Sequence, residues 1–221
     1  MILAAGRGER MRPLTDSVPK PLLKVRGKPL IEYHLEALKR AGYQRVVINH
    51  AWLGQQIESV LGKGERFGLD ILYCAETHAL ETAGGIINAL PLLCPTAKDE
   101  LFTVVNGDIY SDFNFDTLPT HLPNGVEAHL VMVNNPSHHP NGDFHFTGQG
   151  LHPKQGCKLT FSGMAVYNKV FFAQTGSGVK PLAPMLRTAI NRGQIGAQHY
   201  TGHWTDVGTL QRLTELNKIE S

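Results

Sequence analysis

Long hydrophobic runs are missing from this chain, and so is anything that cysteine could build. No apolar stretch approaches the roughly 18 residues of a membrane span. The first, Met1–Ala5, is too short for a secretory leader and is followed at once by arginines. The chain is therefore expected to work in the cytoplasm, with no membrane partner. Its three cysteines, Cys74, Cys94 and Cys157, are odd in number, far apart and without C-x-x-C spacing, which argues against a disulfide framework and against a zinc site. A net charge of +2 is too small to suggest nucleic acid as a partner. Repeats, low-complexity segments and an evident linker are also lacking, so residues 1–221 are expected to form a single domain. Nothing in the pattern fixes an oligomeric state.

What the chain does have is concentrated in Leu3–Pro21, LAAGRGERMRPLTDSVPKP. The apolar run at Met1–Ala5 predicts a strand, and Gly6-Arg7-Gly8 predicts a tight loop that takes φ > 0 and brings bare amides close to a ligand. Arg7, Arg10, Arg12 and Lys20 follow on a segment stiffened by Pro13, Pro19 and Pro21. Residues 1–45 carry ten Lys or Arg against four acids, the remainder eleven against fifteen, so the positive field gathers around this loop. A solvated basic turn would use the same residue types, but loop form and charge agree on a polyphosphate. Two common phosphate loops do not fit. The third glycine position of G-x-G-x-x-G holds Met11, with Pro13 just behind it, and no G-K-[ST] tripeptide stands near these glycines.

Downstream, strand and helix patterns alternate. A helix is predicted from Pro29, burying Leu30, Ile31, Leu35 and Leu38 and stopping at Gly42. Arg45–Ile48 reads as a buried strand, and Trp52–Leu61 as a helix with Leu53, Ile57, Val60 and Leu61 inward. Ile71–Cys74 reads as a strand, Gly84–Leu93 as a helix, and Leu101–Val105 as a strand of the parallel-sheet kind. This alternation implies an α/β fold with a single doubly wound, mostly parallel sheet and helices on both faces. Later the pattern loosens: strands at Ala128–Val133, Thr160–Tyr167 and Ala197–Thr201, helices at Lys180–Asn191 and Thr209–Ile219. The last helix carries a stripe of Leu210, Leu213, Leu216 and Ile219. In open sheets of this kind ligands bind beyond the carboxyl ends of the strands, where the glycine loop, Cys74-Ala75-Glu76 and Asn106-Gly107-Asp108 all fall.

LAAG-x-G-x-R-(M)-x-P-L-T with its later PKP, the aspartate of Asn106-Gly107-Asp108, and Trp204-Thr205-Asp206-Val207-Gly208-Thr209 together resemble the sugar-1-phosphate nucleotidyltransferases. The resemblance implies that Asp108 and Asp206 hold one Mg²⁺ between them, the ion's octahedron being completed by phosphates and water. It implies that Gly6 and Gly8, with Arg7 beside them, cradle a triphosphate, that Arg10 meets charge on the leaving pyrophosphate, and that Lys20 holds the α-phosphate. Ala4, Ala5, Glu76 and Glu81 would lie near uracil and ribose, and Asn106, Gly142 and Asp143 would face the sugar. Further segments, among them Ile48–Gly54, Leu80-Glu81-Thr82, Asn135-Pro136, Gly142-Asp143-Phe144, Phe161-Ser162-Gly163 and Gly202-His203-Trp204, are similar to the branch that makes UDP-N-acetylmuramic acid from UTP and the sugar 1-phosphate in peptidoglycan recycling. Small-molecule substrates are then the only partners implied. Another base and sugar, such as GTP with mannose 1-phosphate or the thymidylyl relatives with glucose 1-phosphate, and a non-catalytic nucleotide-sugar sensor are the other readings. A sensor would have no use for Arg10, Lys20, Asp108 and Asp206 together. Glu81 stands where many family members carry glycine in an L-G-T-A-G run, and members commonly carry a few residues before M-I-L, so the numbering is expected to start slightly inside the native chain.

Eleven histidines invite a metal hypothesis. His138 and His139 are adjacent and point apart in an extended segment, which does not make a ligand pair, while His50 and Trp52 read as packing or loop-ordering groups. The stretch Asn135–Lys158 reads as irregular and polar and, with His138, His139, Lys154 and Lys158, is expected to wall the sugar's lactyl group.

Overall fold

The computed structural model describes residues 1–218. The chain forms two compact units, the first made of Met1–Ala79, Val105–Asp116 and the chain from His203, the second of Leu80–Val104 and Thr117–Gly202. In chain order the first unit begins with β1 (Ile2–Leu3), α1 (Leu14–Ser17), β2 (Lys24–Val25), β3 (Lys28–Pro29), α2 (Leu30–Arg40), β4 (Arg45–His50), α3 (Gly54–Leu61) and β5 (Asp70–Ala75). The second unit supplies α4 (Glu81–Leu93) and the start of β6 (Leu101–Asn106), whose last two residues belong to the first unit, as does β7 (Ile109–Ser111). Then come β8 (Ala128–Val133), β9 (Phe144–Phe146), β10 (Leu151–His152), β11 (Cys157–Asn168), α5 (Leu182–Asn191) and β12 (Ile195–Tyr200) in the second unit, and β13 (Trp204–Asp206) and α6 (Leu210–Lys218) back in the first. The class is the α/β one implied by the sequence, with a mixed, mostly parallel sheet.

In the first unit β1 lies between β4 and the end of β6, and β5 follows β4, all parallel; Leu3 faces Asn49 on one side and Asn106 on the other. Buried on both faces, these strands had to be near-continuous apolar runs, which is how they read. The α2 stripe is as expected: Leu30, Ile31 and Leu35 are fully buried and Leu38 nearly so, each contributing about 2 kcal/mol of burial. Gly42 ends the helix at φ 83°, a left-handed conformation that costs glycine nothing. A second cluster packs α6 through Leu213 and Leu216, with Val207, against Met11, Leu23, Val25 and Leu30. Leu210 is 37% exposed, and Ile219, the last residue of the expected stripe, lies outside the described residues.

Three details correct the sequence reading of this unit. The third helix starts at Gly54 rather than Trp52, because Leu53 takes φ 53°, which no helix continues, and Val60 faces solvent at 45% exposure. Lys24–Val25 pairs with Lys28–Pro29 as a small hairpin. Beyond Asp108 the chain turns straight into β7, which pairs antiparallel with β13, Asp206 opposite Ile109.

The second unit is built differently. β8 lies between β11, antiparallel to it, and β12, parallel to it; the start of β11 also pairs with β9, and β9 with β10. The long strand β11 runs from Cys157, three residues earlier than expected from the apolar pattern, and is irregular between Phe161 and Ala165, where Gly163 at φ 82° forms a bulge. The stretch Asn135–Lys158 is thus not wholly irregular. Its two short strands escaped notice because FHF and LH are too brief and too polar to show a period.

Candidate active site

The glycine loop leaves β1 under a double anchor. The Ala4 N–H donates to both the carbonyl (3.2 Å) and the side-chain Oδ1 (3.0 Å) of Asn49, and the Asn49 amide donates in turn to Glu76 Oε1 at 2.6 Å. Asn49 and Glu76 are both buried, so this chain of hydrogen bonds fixes the loop's exit and the Glu76 carboxylate together. Ala5 is half-buried, and a β-carbon at exposed Gly6 would meet nothing within 4 Å, leaving the loop backbone open to a ligand. Gly8 does the opposite. At φ 71° its carbonyl accepts from Thr15 Oγ1 at 2.9 Å, and a side chain there would press on Thr15 Cγ2 at 2.9 Å.

Arg7 sits over the Trp52 ring, its guanidinium carbon 3.9 Å from the centroid, and donates to the Thr15 carbonyl and Asp16 Oδ1, both at 2.7 Å. Trp52 Nε1 donates to the same Thr15 carbonyl at 2.9 Å. The Arg7 hydrogen bond, ahead of the Arg12 charge, holds the Asp16 carboxyl below the usual carboxylate range. Trp52 therefore orders the loop, as its sequence position suggested. His50 packs too: 3% exposed, it crowds Gly54 with Nδ1 and sets Nε2 at 2.7 Å from Glu58 Oε1.

The two aspartates stand at the end of the β7–β13 ribbon. The Val207 N–H donates to the Asp108 carbonyl at 2.8 Å, so Asp108 and Asp206 occupy neighbouring positions across the ribbon. Each carboxylate carries a cation. Lys20, 8% exposed, reaches Asp108 Oδ2 at 2.6 Å, and Arg212 Nη1 bonds Asp206 Oδ2 and, at 3.1 Å, the Asp206 carbonyl. Gly208 makes room for this. A β-carbon there would lie 2.8 Å from Arg212 Nη2, 3.1 Å from Asp206 Oδ2 and 3.2 Å from Arg10 Nη2, so two guanidinium groups and a carboxylate ring one small cradle. Nearby, Gly107 lets β6 close on β1: its N–H donates to the Leu3 carbonyl at 2.8 Å, and a β-carbon would approach that oxygen as closely. Asn106 is held there opposite Leu3. Under Asp108, buried His34 is pushed down to about 4 by desolvation, against the opposing hydrogen bond to the Ile109 backbone and the Asp108 charge, so it stays neutral at ordinary pH.

Three expected site residues belong to the second unit. Glu81 opens α4 at φ 62°, so the chain keeps at this position the left-handed backbone that glycine favours while carrying a side chain. Gly84, in the same run, is packed so closely by the Gly178 carbonyl and the Lys180 amide that a β-carbon has no room. Gly142 takes φ 57°, with Leu159 O 2.9 Å and Asn135 Oδ1 2.6 Å from where a β-carbon would be. Asp143 accepts from the Phe161 N–H at 2.8 Å and stands 3.0 Å from His139 Nε2. Asn49 and Thr15, which lie in the quoted segments, were given no role from the sequence, and Arg212 was not singled out at all. Asn49 could have been found as a polar residue ending the apolar run Val46–Ile48, whereas Arg212 looks like any surface cation on a terminal helix.

Comparison with known proteins bears on the family and the fold. The family model described as nucleotidyl transferase matches residues 1–144. An N-acetylmuramate alpha-1-phosphate uridylyltransferase of Neisseria meningitidis serogroup B is 50% identical, over 99% of this chain and 96% of the relative. A mannose-1-phosphate guanylyltransferase catalytic subunit beta of Drosophila melanogaster is 30% identical over 94% of this chain but only 58% of its own length. Among solved structures, a Bacillus anthracis protein described as a glucose-1-phosphate thymidylyltransferase, in complex with a sucrose, superposes with a TM-score of 0.85 over all of this chain and 95% of its own, at 20% identity. HddC from Yersinia pseudotuberculosis, complexed with GMP-PN, gives 0.77 over 98% and 96% at 19% identity. At such identities these two speak for the fold alone.

Proposed function

The chain belongs to the nucleotidyl transferase family, and on that premise we propose that it transfers a uridylyl group from UTP to N-acetylmuramic acid α-1-phosphate, giving UDP-N-acetylmuramic acid and pyrophosphate. The observation that carries the reading is the 50% identity, over almost the whole of both chains, to a uridylyltransferase acting on that sugar phosphate. The reading places the protein in peptidoglycan recycling in the cytoplasm. That no described helix is long and apolar enough to cross a membrane is compatible with it.

In the proposed reaction a phosphate oxygen of the sugar phosphate attacks the α-phosphorus of UTP in line, and pyrophosphate leaves with the bonding electron pair. The nucleophile is already an anion, so no general base is required; positioning and charge neutralisation carry the catalysis. Gly6 and Gly8, with Ala4, Ala5 and Arg7, would present loop amides to the triphosphate. Arg10 would meet the charge growing on pyrophosphate, and Lys20, already buried and aimed at Asp108, would hold the α-phosphate. Glu76 would face the base. Asn106 would face the sugar, as would Gly142 and Asp143 on the resemblance alone, while Glu81 keeps its assignment near uracil and ribose on the same ground.

Asp108 and Asp206 suit Mg²⁺: two hard oxygen donors at neighbouring ribbon positions. An ion at this place would be carried by the two carboxylates, while substrate phosphates and water would fill its remaining places. Bound there, it would neutralise charge on the α-phosphate and the departing pyrophosphate.

The decisive assay offers the α-1-phosphates of N-acetylmuramic acid and N-acetylglucosamine in competition, with each of five nucleoside triphosphates, and measures pyrophosphate release. Preference for UTP with the muramic sugar is expected. A selective pocket must match the lactyl carboxylate with a polar contact, because space alone discriminates weakly. Equal or better use of the glucosamine would make it a general UDP-sugar enzyme, and a preference for GTP or dTTP would overturn the base.

A further inference from the structure

We infer that Arg212 is a displaceable counter-ion of Asp206, which yields the carboxylate to the divalent cation and then serves, beside Arg10, as a second guanidinium for substrate phosphate. The inference rests on the proposed reading of Asp206 as a metal ligand and assigns a role to a residue outside the family signature.

The argument is one of charge. Asp108 and Asp206 sit at neighbouring backbone positions on one short ribbon, two part-buried acids that each need a cation or water beside them. A cation contacts each, Lys20 on Asp108 and Arg212 on Asp206, their side chains only 10% and 13% exposed. A single divalent ion can take the place of both monovalent cations at the carboxylates, and because neither cation leaves, the site gains two positive charges for an anionic ligand to balance. The two displaced cations are left beside whatever the metal brings with it, and a nucleoside triphosphate brings phosphates.

Arg212 is placed to remain there. Its Nε lies 3.3 Å from Thr209 Oγ1 and its Nη1 bonds the Asp206 carbonyl, contacts that survive loss of the carboxylate and hold the guanidinium at the start of α6. Its Nη2 and Arg10 Nη2 converge on the cradle left open by Gly208. A purely structural clamp would need the carbonyl and Thr209 contacts but not the carboxylate, and a planar guanidinium is the group suited to exchange one oxyanion for another.

The test measures Mn²⁺ binding to the nucleotide-free protein by electron paramagnetic resonance, in wild type, Arg212→Gln, Arg212→Lys and Asp206→Asn, with circular dichroism to verify folding. Arg212 competes with the metal, so Arg212→Gln should bind Mn²⁺ about tenfold more tightly and yet turn over more slowly, with kcat falling more than KM for UTP. Arg212→Lys, which keeps the charge but loses the fork, should stay near wild type in Mn²⁺ affinity and lose part of kcat. If Arg212→Gln binds Mn²⁺ no more tightly than wild type, while Asp206→Asn binds it poorly, the inference fails and the metal reading stands. If Asp206→Asn binds Mn²⁺ as well as wild type, the metal reading of Asp206 fails, and the inference with it.

Discussion

The two units of this chain solve different problems. In the first, parallel strands buried on both faces end abruptly in polar residues, and those ends, Ala4 to Gly8, Asn49, Glu76 and Asn106 to Asp108, carry buried hydrogen bonds and an ion pair that no packing requirement explains. In the second, antiparallel strands are punctuated by glycines at positive φ, such as Gly142, Gly156 and Gly163, and Asp143 is engaged by its own neighbours. The first unit gathers its polar groups at the strand ends, where we propose that phosphate and metal are held, and the second uses them on its own turns. Rate should therefore respond to substitutions in the first unit, and sugar affinity and turn geometry to substitutions in the second.

The sharpest test lies at the ribbon. Asp108→Asn and Asp206→Asn should each lower kcat by about a thousandfold, roughly 4 kcal/mol of transition-state stabilisation, while the circular dichroism spectrum stays that of wild type, since each change removes a charge and no core volume. Chelation with EDTA should abolish turnover reversibly. Full activity in excess EDTA would remove the metal from the account and with it the contrast between the units.

Next in size is a stability effect of the first unit. His34 is buried and held down to about 4, below its ordinary 6.5. The unfolded chain therefore takes up this proton first, so stability is full above about 6.5 and falls as pH drops towards 4, by on the order of 3 kcal/mol. Thermal midpoints followed across that window should decline, and His34→Leu should flatten the decline. An unchanged slope in the variant would assign the acid loss to other groups.

The same contrast explains what could be read in advance. Strands such as Arg45–His50 and Leu101–Asn106 were legible because burial on both faces leaves an uninterrupted apolar run, and the glycine loop because a glycine pair closing an apolar run, followed by clustered cations and prolines, makes a long pattern. β9, β10 and the β7–β13 ribbon were not legible. Their two or three residues alternate with polar groups, and their pairing depends on partners distant in sequence, such as Asp206 with Ile109. Arg212 was invisible for the same reason, since a terminal-helix arginine acquires meaning only when the ribbon brings Asp206 to it.

A smaller effect is expected from Gly142→Ala. At φ 57°, with Leu159 O and Asn135 Oδ1 inside contact distance of the new β-carbon, the turn must shift, and the strained backbone alone costs about 1 kcal/mol. KM for the sugar phosphate should rise about tenfold, equivalent to 1.4 kcal/mol, with KM for UTP unchanged. A matching rise for UTP would break the division between the units.

The smallest effect concerns the latch on the glycine loop. Trp52 is 40% exposed, so its energetic value cannot lie in burial; it lies in the Arg7 guanidinium over its face and in the indole N–H given to the Thr15 carbonyl. An exposed cation–π contact contributes about 0.5–1 kcal/mol, and a neutral hydrogen bond about as much. Trp52→Phe keeps a ring for Arg7 and loses the hydrogen bond, whereas Trp52→Leu loses both. Because the latch orders the loop before the triphosphate arrives, its loss should be charged to binding: KM for UTP should rise about threefold in the leucine variant and less in the phenylalanine one, with kcat little changed in either. A fall in kcat at constant KM would show instead that the latch shapes the loop for the transition state, and Arg7 would then join Arg10 in the proposed role of meeting the leaving pyrophosphate.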